Sequence, residues 1–162
     1  MKGVYEHNNK VMSYPSTGMY ETILVATDSS KEARAALDHA IGLAASVDAV
    51  VHVVTVLDTS TSSMSFGIGD VEKLNEAATE LVEEIVEAHG TRGVDVTGDV
   101  RRGKPATVLL DYADEVGADL IVAGQRGEDG VTGAILGSTT DRLARLTDIP
   151  LIIVPASDTE SE

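Results

Sequence analysis

The chain has 162 residues, 43% of them apolar, with 27 acidic side chains against 12 Lys and Arg and a formal net charge of −15. That length suits one core and one domain; the apolar share excludes a disordered chain, and no apolar run reaches the roughly 18 residues of a membrane span. The absence of Cys excludes disulfides, thiolate metal sites and a Cys nucleophile, while the acidic balance argues against the basic face of a nucleic-acid binder.

The acids are 14 Asp and 13 Glu, and only 5 of the bases are Lys. A small soluble domain is comfortable at a net charge of magnitude about 2–8. A larger excess costs self-repulsion unless salt screens it, and at ~1 M the Debye length is ~3 Å. The composition points to the salty cytoplasm of a halophilic organism, with an ordinary acidic cytosolic protein as the plain alternative.

Residues 1–19 lack periodicity and read as a flexible extension or tag. They contain no apolar h-region, so they are no secretory signal. The folded domain is expected over residues 20–155, followed by an acidic tail at 156–162. Thr22 to Ala26 is a short apolar run ending at Thr27-Asp28-Ser29-Ser30, the pattern of a buried strand and a helix start. The helix that follows has Ala33, Leu37, Ala40, Ile41 and Ala44 on one stripe. Val50 to Val56 is apolar on both faces, as a central parallel strand should be. Asp58 to Gly69 is rich in Ser, Thr and Gly and reads as a flexible loop.

A long helix comes next, with Val71, Leu74, Ala78, Leu81, Val82 and Ile85 on one face. Val94 to Val100 alternates and reads as a strand nearer an edge. Pro105 opens a helix carrying Ala106, Leu109, Leu110 and Ala113. Asp119 to Ala123 is a fourth strand, a Gly-rich loop runs to Gly137, Ser138 to Leu146 is a helix, and Leu151 to Val154 is the last strand. The order βαβαβαβαβ implies an α/β fold: a parallel sheet with right-handed crossovers and helices on both faces. Such sheets bind ligands at the carboxyl ends of strands, beside a topological switch point. Asp28 and Gly124 stand at two such ends.

The informative segment is Ala123-Gly124-Gln125-Arg126-Gly127, then nine residues, then Gly137-Ser138-Thr139-Thr140. Glycines after a strand let backbone approach a ligand closely. Free N–H groups and the positive dipole end of the next helix favour phosphate. The hydroxyl of Ser138 either caps that helix or donates to phosphate oxygens. The glycines either make only a turn or help to hold a nucleotide's phosphate chain.

The spacing Gly-x2-Gly-x9-Gly-Ser resembles the ATP-binding signature of the universal stress proteins. Ile23 to Ser30 resembles that family's first strand and turn, and Val51-His52-Val53-Val54 its second strand. Arg102 to Ala106 is similar to the turn before its third helix; Asp119 to Gly124 and Ile149 to Val154 are similar to its last two strands. The resemblance covers about Tyr20 to Pro155. It implies an adenine nucleotide alpha hydrolase-like fold: a single-domain, open, five-stranded parallel sheet in the order 3-2-1-4-5, with nucleotide between strands 1 and 4. It places Ala26 and Asp28 along the nucleotide, with Asp28 near the ribose or the metal-bound phosphates. It puts the backbone of Val53 against adenine, Ala123, Gly124 and Gly127 at phosphate and ribose, and Gly137, Ser138 and Thr139 in a phosphate cradle. It also implies a homodimer through Leu151 to Val154, a short apolar edge of the kind that invites pairing.

The chain departs from the family at Gln125, where Ser or Arg is more usual. Glu128 and Asp129 follow the second glycine, and each repels a triphosphate by ~1 kcal/mol if solvated at ~4 Å. Salt or bound Mg²⁺ would blunt that repulsion. Arg126 is expected to pair with Glu128 at the surface.

Other signals are weaker. Gly103-Lys104-Pro105-Ala106-Thr107 lacks P-loop spacing, and Pro105 removes an N–H that a phosphate cradle needs. The four His, at 7, 39, 52 and 89, have no zinc-ligand spacing. His52 reads as a hydrogen-bonded core histidine. No Gly-x-Ser-x-Gly elbow occurs, which argues against a dedicated catalyst. The leading expectation is an ATP-binding regulatory protein of the universal stress type that acts by occupancy, with ATP or AMP and Mg²⁺ as ligands. A nucleotide-free dimeric interaction module and a slow ATPase are the alternatives.

Overall fold

In this computed structural model the described residues are 20–58, 68–90, 93–126 and 136–155. Expectations about residues 1–19, about most of the segment between Asp58 and Gly69, about Gly127, Glu128 and Asp129, and about the tail at 156–162 lie outside them.

Five runs of β-favouring residues become strands: β1 (Thr22–Ala26), β2 (Val50–Leu57), β3 (Val96–Arg102), β4 (Leu120–Gly124) and β5 (Leu151–Val154). They form one parallel sheet in the order β3-β2-β1-β4-β5. The helices between them are α1 (Lys31–Val47), α2 (Ile68–Gly90), α3 (Pro105–Val116) and α4 (Ser138–Leu146). The expected single-domain fold and strand order are the observed ones.

Alternation along the strands sorts the core into two layers. Ile23 and Val25 of β1, Val51 and Val53 of β2, and Leu120 and Val122 of β4 cluster with Ala36, Leu37, Ala40 and Ile41 of α1, with Ile85 and Val86 of α2 packed against them. Leu24, Val54, Ile121 and Ala123 cluster on the opposite face with Leu109 and Tyr112 of α3 and Leu143 of α4. Ile23, Leu24, Leu120 and Ile121 are fully buried, and each such side chain is worth about 1.5–3 kcal/mol relative to exposure.

Local chemistry sets the helix ends. Asp28 Oδ1 accepts from the Ser30 amide at 2.8 Å, and Ser30 Oγ caps α1 by accepting from Ala33 N at 3.1 Å. Pro105 opens α3, where its missing N–H costs nothing, and Gly117 closes it at φ 68°, a left-handed value that glycine adopts without strain. The N-cap of α4 is Gly137, with no side-chain cap. Ser138 is therefore the first residue of the helix and does not cap it.

Five strand boundaries differ from the sequence reading. β3 spans Val96–Arg102 rather than Val94–Val100, β2 runs on to Leu57, and β4 spans Leu120–Gly124 rather than Asp119–Ala123. Just ahead of β4, the Asp119 amide donates to the Thr22 carbonyl at 2.9 Å and its carboxylate accepts the main-chain N–H groups of Glu21, at 3.1 Å, and Thr22, at 3.3 Å. The apolar stripe of α2 is only partly buried: Ala78 and Val82 are in the core, whereas Leu74 is 44% exposed. The packing partners of α2 in the sheet are β2 and β3. Its early turns overhang the carboxyl ends of the strands.

His52 is half-buried on β2. Its Nδ1 lies 3.0 Å from Thr97 Oγ1 and 3.3 Å from the Tyr112 hydroxyl. Burial pushes the ring below its ordinary pKa, with Asp95 opposing more weakly. The Arg101 guanidinium covers Tyr112 at 4.6 Å and donates to Asp99 at 2.8 Å. His52 is hydrogen-bonded as expected, to β3 and α3, but it is not a core residue: it stays half-buried outside both core clusters.

Candidate functional site

From β1 the chain winds outward through β2 to β3; from β4 it winds the other way to β5. The carboxyl ends of β1 and β4 therefore diverge at a switch point, where loops leave in opposite directions and open a crevice. A cavity of about 770 Å³ occupies that position.

One end of the cavity is polar and built by β4 and α4. The Gly137 amide donates to the Gln125 carbonyl at 2.8 Å, and the Gln125 amide donates to Val154 at 2.9 Å. Thr140 Oγ1 donates to the Gly124 carbonyl at 2.7 Å. These bonds hold the first turn of α4 against the end of β4. The amides of a first helical turn have no partner within the helix, so they present donors and positive potential there. Gly124 lies so close to α1 that a Cβ on it would stand 2.7 Å from the carbonyl carbon and oxygen of Glu32. That contact requires glycine at this position.

The other end is largely apolar, walled by Val54 and Val56 of β2, Leu74, Ala78 and Leu81 of α2, and Leu109 of α3. Thr55 also belongs to this wall. Its hydroxyl is buried and has no hydrogen-bond partner among the described residues. Two carboxylates, Asp28 and Asp58, line the cavity, and Arg126 brings a positive charge. Arg126 donates to the Glu32 carboxylate at 3.3 Å, and Glu32 is only 14% exposed.

Of the residues singled out from the sequence, Ala26, Asp28, Ala123, Gly124, Gly137, Ser138 and Thr139 all line this cavity. Val53 does not. It pairs in register with Val25 and points into the core beneath α1; Val54 through Leu57 reach the cavity instead. Gly127 lies outside the described residues, as does Glu128, the expected partner of Arg126; the partner observed is Glu32. Thr140, named with the helix start, lines the cavity too, and its hydroxyl is spent on the Gly124 carbonyl; sequence reasoning missed Thr55 and the overhanging face of α2. No signal in the sequence marked that face, because Leu74, Ala78 and Leu81 follow the period of an ordinary core stripe.

A doubly wound α/β domain with a crevice of mixed polarity at its switch point is thus the class that fold and site define. The universal stress protein family matches residues 19–155 of the chain. A universal stress protein of Staphylococcus aureus is 34% identical over 83% of this chain and 84% of its own length. The solved structure of hypothetical protein MJ0577 is similar with a TM-score of 0.77 and 27% identity, over 86% of this chain and 99% of that one. A universal stress protein solved in complex with cAMP is similar with a TM-score of 0.64 and 27% identity, over 86% of this chain and all (100%) of that one. The chain belongs to the universal stress protein family.

The residues present fit an adenine nucleotide. The apolar end suits a purine ring, and the first turn of α4 offers amides to phosphate. Asp28 and Asp58 are carboxylates that a divalent cation accompanying the nucleotide could use, since Mg²⁺ prefers one or two carboxylates with substrate phosphates. Among the described residues no group of three or more His, Asp or Glu forms a metal site of its own. No described helix is long and apolar enough to cross a membrane.

Proposed function

We propose that this protein binds an adenine nucleotide, ATP with Mg²⁺ or AMP, and that occupancy rather than turnover is its output. One observation carries the reading: the start of α4 is bonded to the end of β4 through Thr140 and Gly124, which sets unpaired amides beside an open cavity. A similar protein binds cAMP, which supports an adenine ring in the apolar half.

In this reading Gly124, Gly127, Gly137, Ser138 and Thr139 hold phosphate. Ala26, Asp28 and Ala123 flank the ribose and phosphates, and the backbone of β2 beyond Val53 meets the base. The nucleotide bridges α4 and the overhang of α2. Occupancy would tie α2 to α4 across the crevice and change the surface offered to partners. Titration of nucleotide-free protein with ATP and Mg²⁺ in molar KCl tests this. Saturable heat and a raised melting temperature are expected. No signal at millimolar ATP, AMP or cAMP overturns the reading.

The β5 edge supports a second element of function. Leu151 to Val154 are all only half-buried, and among the described residues β5 pairs with β4 alone. We place a homodimer contact there, in a salt-adapted cytoplasmic protein. Were nucleotide absent, this edge would favour a dimeric interaction module. A monomeric mass by light scattering in high salt overturns the dimer.

A further inference from the structure

We propose that Arg126 is a phosphate-binding side chain kept in reserve by Glu32, and that nucleotide binding exchanges the Glu32 carboxylate for a phosphate oxygen. The inference rests on the nucleotide reading and adds to it a binding residue and a built-in competitor.

Three observations carry it. First, Arg126 is the one cationic side chain among the described residues lining the cavity, and Asp28 and Asp58 line the same cavity. A chain of net charge −15 repels anions at long range. Capture of a phosphate chain therefore depends strongly on any local cation.

Second, the partner holding Arg126 is the fixed member of the pair. Glu32 lies in the first turn of α1, where the helix dipole favours a carboxylate. Its backbone is wedged against Gly124, and its side chain is 14% exposed. Arg126 is 36% exposed, on a long flexible stem two residues beyond Gly124. Glu32 keeps a favourable site when the guanidinium leaves, so Arg126 is the member free to move.

Third, the pair is loose. A single N–H reaches a single oxygen at 3.3 Å, longer than the roughly 2.7–2.9 Å of a strong charge-assisted bond. A guanidinium has five N–H donors, and its planar fork matches phosphate in a two-pronged geometry. A multiply charged phosphate chain outcompetes one distant carboxylate oxygen.

Competition makes opposite predictions for the two residues. Arg126→Gln lowers ATP affinity about tenfold, the usual size of one charge-assisted hydrogen bond. Glu32→Gln frees the guanidinium and raises ATP affinity several-fold. The double variant behaves as Arg126→Gln alone, because Glu32 acts only through Arg126. Arg126→Lys recovers part of the loss.

Calorimetric titration of the full chain with ATP, inorganic triphosphate and adenosine, at one fixed KCl concentration, reads these effects. Melting curves accompany each variant to show that it is folded. Effects on ATP that are absent for adenosine support the proposal. Parallel effects on triphosphate mean that the exchange is driven by phosphate alone; effects on ATP only mean that the base must first position the chain. Either pattern is consistent with the exchange.

Equal ATP affinity in wild type and Arg126→Gln overturns the inference and leaves the nucleotide reading standing. So does a Glu32→Gln variant that binds more weakly, since that makes the pair a support and not a competitor. Equal losses for ATP and adenosine also overturn it, because they reveal a general distortion. A wild-type protein that binds none of the three ligands overturns both readings together.

Discussion

The Thr140 hydroxyl donates to the carbonyl of Gly124 across 2.7 Å, joining the first turn of α4 to the last residue of β4 over a sequence gap that contains the whole glycine loop. Through this bond the amides at the start of α4 keep their position beside the strand end. Thr140 is buried, with 5% of its surface exposed, so water cannot readily replace its hydroxyl. Thr140→Val preserves shape and removes the donor. The expected cost is about 1–3 kcal/mol of stability, the price of an unmade buried hydrogen bond, together with weaker nucleotide binding. Chemical denaturation and ATP titration of the same variant check both effects.

Gly124 and Glu32 show how closely α1 rests on β4. A Cβ at Gly124 would sit 2.7 Å from main-chain atoms of Glu32, which no side-chain rotation can relieve. Gly124→Ala is expected to push the start of α1 away from the strand, costing about 1–3 kcal/mol for overpacking. Because both elements line the cavity, ligand affinity falls as well. A melting temperature equal to that of the wild type would show that α1 yields without cost.

His52 makes stability depend on pH in a narrow window. Burial lowers its pKa in the folded protein below the ordinary 6.5. The unfolded chain then binds more protons than the native state between those two values, so unfolding is favoured as pH falls. The contribution of neutral His52 is complete above pH 6.5 and is lost as pH falls through the folded value. Nδ1 lies within hydrogen-bond reach of the hydroxyls of Thr97 and Tyr112; once protonated, the ring can only donate to them. Urea midpoints measured from neutral pH down to about pH 5, above the usual carboxylate range, should decline in the wild type. His52→Gln should flatten the decline.

Thr55, on the cavity wall, carries a buried hydroxyl with no partner among the described residues. Leaving such a group unsatisfied costs about 1–3 kcal/mol. Thr55→Val should therefore stabilise the nucleotide-free protein, raising Tm by about 2–4 °C per kcal/mol for a chain of this size. A lower Tm would reveal that the hydroxyl is satisfied in solution.

Salt should stabilise the fold. At a net charge of −15, self-repulsion is large in dilute buffer and is screened over ~3 Å at ~1 M salt. The long face of α2 concentrates this charge, with Glu72, Glu76, Glu80, Glu83, Glu84 and Glu87 in one helix. Denaturation midpoints should rise steadily with KCl. A flat dependence would make the composition merely acidic.

Much of the fold was legible before any coordinates. Short runs such as Thr22–Ala26 and Leu151–Val154 could only be buried or edge strands, and alternation with helical stripes implied parallel crossovers. Those signals are local: period, length and punctuation lie within a few residues of one another. The Gly-x2-Gly-x9-Gly-Ser spacing and the matched segments around it supplied the family and the strand order, and most of the site residues they indicated line the cavity.

Register and distant partnership were decided only by tertiary structure. Val53 and Val56 look alike in a valine-rich run, but pairing with Val25 buries the first beneath α1 and carries the second to the cavity. Arg126 has acidic neighbours in sequence, yet it pairs with Glu32, 94 positions away, because the parallel order sets the end of β4 beside the start of α1. Thr55 and Leu74 acquire their roles in the same way, from where α2 comes to rest. Hydrophobic period says which residues turn inward; only the assembled sheet says what they meet.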